Sequence, residues 1–112
     1  MNLDRWDIVF VRADEKDAVG HPAVILSSAD MLNDPKQQRF NVLIGTKKQP
    51  AQTVAPHQVV LNGADELEFL TLVDCSLIYL MRKSTILRLT GRVTPERRKE
   101  IQRKLRAFLG LG

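Results

Sequence analysis

The feature that most constrains this chain is a single change of apolar period. Before Thr94 no apolar pattern runs for more than a few residues, whereas one helical repeat spans Thr94 to Leu109. The early segments are short and β-prone. They are D-I-V-F-V-R at Asp7–Arg12, the continuous apolar run Ala23–Leu26, Phe40–Ile44, Gln58–Leu61, Leu70–Val73, Leu77–Met81 and the partly alternating Ser84–Leu89. Loop residues punctuate them: Gly20, Asn33-Asp34-Pro35, Gly45, Asn62-Gly63 and Thr90-Gly91. In the last segment Ile101, Leu105, Phe108 and Leu109 share one helical face. Thr94 is placed as N-cap, Pro95 as first helical residue, Glu96 as a first-turn acid and Gly110 as the stop. Short strands must pair to bury anything, and one helix can cover only one opening. The expectation is a mostly β fold with a C-terminal α-helix, strands over about 6–90 and the helix over about 94–109. A small SH3-like barrel of about six or seven short antiparallel strands, one domain over residues 1–112, fits best.

Several classes are excluded or set aside at this level. No uncharged run approaches the ~18 residues of a membrane span, and the start M-N-L-D-R-W-D carries no apolar signal segment. No membrane is expected, and a cytoplasmic location is the simplest reading. The lone Cys75 rules out an internal disulfide framework and reads as a buried thiol. Two histidines 36 residues apart and one cysteine make no zinc spacing. No glycine-rich phosphate loop is present, so neither metal nor cofactor is implied.

The charge distribution is more informative than its sum. The net charge is +4. Between Glu96 and Leu109 six basic residues (Arg97, Arg98, Lys99, Arg103, Lys104, Arg106) face two acids (Glu96, Glu100), and six minus two is +4. The remainder of the chain is therefore neutral overall. Such a surface suits RNA, DNA or an acidic protein, and it equally suits the solvated side of a terminal helix.

Read in order, a series of landmarks resembles the MazF/PemK family of toxin endoribonucleases over almost the whole chain. The family's opening G-D-I-V-x-V appears as Trp6-Asp7-Ile8-Val9-Phe10-Val11, with Trp6 in the glycine's place. Its G-x-R-P-A-V-V-x-S appears as Gly20-His21-Pro22-Ala23-Val24-Ile25-Leu26-Ser27, one residue shorter before the proline and with His21 for arginine. Thr46 after Leu43-Ile44-Gly45 fits the hydroxyl of P-I-T-S. Pro56-His57-Gln58-Val59-Val60-Leu61 matches P-x-H-V-x-L, and Gly91-Arg92-Val93-Thr94-Pro95-Glu96 matches G-R-L-S-P-E. The segment that often reads L-x-Q-I-R-T-I-D departs, being Leu72-Val73-Asp74-Cys75-Ser76-Leu77-Ile78-Tyr79.

The resemblance implies a growth-inhibiting toxin of a toxin–antitoxin system. It implies a homodimer that cleaves single-stranded RNA at short sequences without a metal, restrained by a cognate antitoxin whose tail wraps it. It also implies catalytic roles for His21 and Thr46. Metal-free cleavage needs a base for the 2′-hydroxyl, donors for the phosphate oxygens and a proton for the leaving oxygen. Histidine can move a proton near neutral pH, so His21 exchanges a fixed charge for a switchable carrier. Lys47 and Lys48 beside Thr46, with Arg82 and Lys83, are the candidate RNA-binding cations. Trp6 and Tyr79 are stacking candidates, and His57 is a further titratable group. Two other readings stay open. One is a catalytically inactive relative that retains partner or nucleic-acid binding, its apolar Leu77–Leu80 run serving as the edge. The other is an unrelated SH3-like adaptor barrel.

Overall fold

The computed structural model describes residues 2–111. In chain order its elements are β1 (Asp7–Val11), β2 (His21–Ile25), α1 (Ala29–Leu32), β3 (Arg39–Lys47), β4 (Gln58–Leu61), β5 (Thr71–Asp74), β6 (Tyr79–Arg82), β7 (Ile86–Arg92) and α2 (Pro95–Leu109). Every ladder is antiparallel, in the order β4-β5-β3-β2-β1-β7, with β6 also on β3. The result is a strongly curled, seven-stranded, barrel-like sheet; among the described residues the ladder does not close from β7 back to β4.

The long β3 organises this sheet. Its first half pairs with β6, Arg39 opposite Arg82 through Val42 opposite Tyr79. Its last residues pair with β5, Gly45 opposite Val73 through Lys47 opposite Thr71. So β5 and β6 follow one another along the same edge of β3, separated by an excursion at Cys75–Ile78. Strand β3 runs on past Gly45, where the sequence pattern suggests an end. A side chain at Gly45 would meet Thr71 Cγ2 at 2.7 Å and the Pro22 carbonyl oxygen at 3.2 Å. Glycine lets three strands crowd there. Opposite β1, strand β7 skips a residue twice, at Leu87 and at Thr90. Such bulges add twist and curl the sheet.

Alternation along β1–β3 buries both faces. Ile8, Phe10, Val24 and Leu43 point into one core, with Val59, Leu61, Val93 and Ile101. Val9, Val11, Ala23, Ile25 and Val42 point into the other, with Leu32 and Phe40. Each of the larger side chains contributes about 1.5–3 kcal/mol on leaving water, which is why β1 and β2 read as largely apolar runs. Helix α2 seals the first core with Ile101 and the partly buried Leu105. Thr94 is its N-cap residue, but the threonine side chain makes no capping bond. The fully buried Asp65 does the work instead, its Oδ1 accepting the Thr94 N–H at 2.9 Å.

Candidate active site

The ladder between β2 and β3 runs from Ile25 opposite Val42 to Ala23 opposite Ile44. Continuing that register by two residues sets His21 opposite Thr46, on the same face as Ala23 and Ile44. Pro22 lacks an N–H and Gly45 pairs with β5, so the β2–β3 ladder ends at Ala23 opposite Ile44. His21 and Thr46 line one cavity of about 390 Å³ together with Val11, Ala13, Ile44 and Tyr79–Met81. The walls are mostly apolar, with His21, Thr46 and Tyr79 as the polar members.

His21 is held from the loop side. The chain from Ala13 to Gly20 folds around Asp17, whose Oδ2 accepts the Ala13 N–H and whose Oδ1 accepts the Gly20 N–H, both at 2.9 Å. Asp17 Oδ2 also lies 3.6 Å from His21 Nε2. These two backbone donors hold the Asp17 carboxyl below its ordinary value. Burial opposes them, and the nearby His21 and Arg12 add smaller lowering effects. Gly20 supports the turn with a left-handed φ of 80°. A side chain there would strike Leu87 Cδ1 at 2.8 Å. Asp17 has no role in the sequence reading; the signal was its position four residues before His21 in a closed polar loop.

The expected cations divide. Lys47 follows Thr46 and so faces the other side of β3, where its ammonium sits 4.8 Å above the Phe69 ring. Lys48 is half-buried at the strand end, with its Nζ donating to the Gln49 carbonyl at 3.2 Å. Lys83 is committed to structure, its Nζ donating to the carbonyls of Met31 at 2.7 Å and Asp34 at 3.0 Å. Arg82 is exposed and lines, with Arg12, a groove that shares Ala13 with the His21–Thr46 cavity. Arg12 and Arg82 therefore stand beside the cavity, in a groove that the acidic Asp14 and Glu15 also line. Tyr79 lines the cavity, whereas Trp6 is buried in the core. His57 lies elsewhere, edge-on to Phe108 and 4.0 Å from Asp74. Among the described residues no three His, Cys, Asp or Glu side chains gather into a metal-binding group, and no helix is long and apolar enough to cross a membrane.

A family profile described as PemK-like, MazF-like toxin of type II toxin–antitoxin system matches residues 4–109. The chain belongs to this toxin family. No curated protein sequence matches it. Among solved structures it is similar to an endoribonuclease in complex with its cognate antitoxin from a mycobacterial species, at 21% identity, with 98% of this chain and 97% of that one covered and a TM-score of 0.75. It is also similar to the toxin MazF-mt6 of Mycobacterium tuberculosis, at 13% identity, 93% and 96% coverage and a TM-score of 0.75. A MazE–MazF structure from Deinococcus radiodurans matches at 15% identity, 100% and 99% coverage and a TM-score of 0.77. At these identities the likeness is one of fold.

Three departures of this PemK/MazF-family chain from the family pattern fall at separate places in the fold. His21 opens β2 at the mouth of the cavity. Trp6, in the glycine's place, keeps a glycine-like φ of 76°. The divergent Asp74–Ile78 stretch covers the end of β5 and the excursion to β6, where Asp74 Oδ1 accepts both the Ser76 N–H and its hydroxyl. From its last two residues into β6 the side chains of Leu77 to Leu80 are exposed, Leu80 by 61%.

Proposed function

We propose that this PemK/MazF-family toxin is a metal-independent endoribonuclease acting on single-stranded RNA, with His21 and Thr46 as catalytic residues. The observation that carries this reading is their convergence, from two strands, on one cavity. A neutral His21 imidazole takes the proton of the 2′-hydroxyl as that oxygen attacks phosphorus. The P–O5′ bond breaks, leaving a 2′,3′-cyclic phosphate and a 5′-hydroxyl, with the leaving oxygen protonated from water. The Thr46 hydroxyl donates to a non-bridging oxygen as charge builds. Asp17 holds the ring in place, Arg12 and Arg82 draw the phosphates to the cavity mouth, and Tyr79 offers a face to a base. Lys47 and Lys48 offer charge to RNA that leaves the cavity around the end of β3, on the Phe69 side, while Lys83 acts by fixing the β6–β7 turn.

The toxin works as a homodimer in the cytoplasm and is held in check by a cognate antitoxin. Strand β6 pairs only with β3 among the described residues. Its outer edge is flanked by the exposed Leu77, Ile78, Tyr79 and Leu80, an apolar rim suited to a second copy. The antitoxin-bound mycobacterial endoribonuclease supports the antitoxin assignment.

The test is cleavage of a mixed-sequence single-stranded RNA in EDTA, from about pH 5.5 to about pH 8.5, around the ordinary imidazole range near ~6.5. His21→Ala is expected to lose about 10²–10⁴-fold in rate and Thr46→Ala about 10²–10³-fold. Intact RNA at every pH, from folded wild-type protein, would overturn the nuclease assignment in favour of a non-catalytic binding protein.

A further inference from the structure

Helix α2 carries the chain's entire charge surplus, and the fold sorts its cations into two sets. Arg97 approaches Asp65 and Glu100, each at 3.8 Å. Arg98 Nε donates to the Val93 carbonyl at 2.8 Å, and Lys104 Nζ to the Gln58 carbonyl at 2.6 Å. These three tie the helix to the sheet or to itself. Lys99, Arg103 and Arg106 are different. Spaced i, i+4 and i+7, they form one exposed stripe with Gln102 and Ala107 beside it. Among the described residues no carboxylate lies within 4.0 Å of any of them. The stripe is about 10 Å long at 1.5 Å per residue, and it points away from Ile101 and Leu105.

We propose that this stripe is a second nucleic-acid contact, a landing surface for the phosphate backbone of single-stranded RNA. Its chemistry favours phosphate over an acidic peptide. A stably docked peptide draws most of its affinity from a few buried apolar or aromatic anchors, and this stripe has only Ala107 between its cations. Backbone phosphates require nothing more than a row of charged donors. With no aromatic platform in the stripe, the contact is indifferent to base sequence. Helix α2 covers the core built on Ile8 and Val24, whereas the His21–Thr46 cavity opens on the face of Val11 and Ile44. The stripe therefore engages a segment of RNA other than the one in the cavity and raises the local concentration of long strands.

The test uses a labelled 2′-O-methyl oligouridylate, which lacks the attacking hydroxyl, with binding measured by anisotropy across a potassium chloride series. Each phosphate neutralised on a single strand contributes about −0.7 to the slope of log K against log salt. The triple variant K99Q/R103Q/R106Q is expected to lose about 2 from that slope and to weaken binding at low salt. Its thermal unfolding should match wild type, since all three side chains lie on the surface. An unchanged slope overturns the proposal. So does a variant that binds the RNA like wild type but no longer binds a polyglutamate peptide, which would make the stripe a protein-docking surface. Wild-type protein that binds RNA through this stripe yet leaves cleavable RNA intact would defeat the nuclease reading alone.

Discussion

Asp17 Oδ2 stands 3.6 Å from His21 Nε2 while the same carboxylate ties together both ends of the loop between β1 and β2 through the Ala13 and Gly20 N–H groups. One side chain thus shapes the loop and faces the imidazole. Both tasks belong to the ionised form, and its folded pKa is depressed below the ordinary 3.8. The stability Asp17 contributes is present above that ordinary value and is lost as pH falls through the lower folded value. Thermal unfolding of wild type and Asp17→Ala should differ at pH 6 and converge as acid protonates the carboxyl. A gap that persists unchanged well below the ordinary carboxylate range would show that the carboxylate bonds are not its source.

The start of helix α2 depends on a residue remote in sequence. Asp65 is fully buried, with Oδ1 on the Thr94 N–H and Oδ2 on the Asn62 N–H at 3.0 Å, and Arg97 stands 3.8 Å away. Asp65→Ala should cost about 2–4 kcal/mol by leaving two partly buried donors and part of a cation without an acceptor. Asp65→Asn keeps one acceptor for the Thr94 bond and should cost about half as much. Thr94→Ala should cost less than about 0.5 kcal/mol, because its hydroxyl makes no capping bond. Chemical denaturation of the three variants gives the order directly.

Cys75 is fully buried at the start of the β5–β6 excursion, and burial pushes its thiol up to about 11. The thiolate is the reactive form, so native protein near pH 8 should resist iodoacetamide until the chain opens. Because the folded value lies above the ordinary 9.0, the associated stability is complete below about pH 9 and is lost as pH rises toward 11. Alkylation followed by mass, with and without urea, tests the first point. Labelling of folded protein at the rate of a free thiol would contradict the burial.

What was legible in the sequence follows the range of the interactions involved. Strands β1, β2 and β4 and helix α2 are announced by local periodicity, because each buries its own pattern. The continuation of β3 through Gly45 to Lys47 was not, since it depends on β5 arriving from a distant part of the chain. Leu77 and Ile78 look like strand residues but fall in the excursion, and β7 continues to Arg92 through a Thr90-Gly91 pair that reads as a turn. At the site, His21 and Thr46 are found from family order. The carboxylate beside His21 and the placing of Arg12 and Arg82 come from loop folding and strand packing, which no short spacing encodes.

Trp6 poses a contest between strain and burial that magnitudes can decide. Its φ of 76° lies in the left-handed region that favours glycine, the residue of the family pattern. Such a conformation costs an L-residue about 1–2 kcal/mol. The surroundings enforce it, with the Trp6 N–H on the Ile25 carbonyl at 2.8 Å and the Trp6 carbonyl accepting the Val93 N–H at 2.9 Å. The indole sits in the core beside Ile8, Val93 and Ile101. Removing a buried aromatic of this kind costs about 3–5 kcal/mol. Trp6→Gly should therefore relieve the strain and still lose about 2–3 kcal/mol, whereas Trp6→Ala keeps the strain and loses more. Glycine outranking alanine in denaturant midpoint, with both below wild type, is the expected order. If glycine equals or exceeds tryptophan, the indole contributes less to the core than its burial implies.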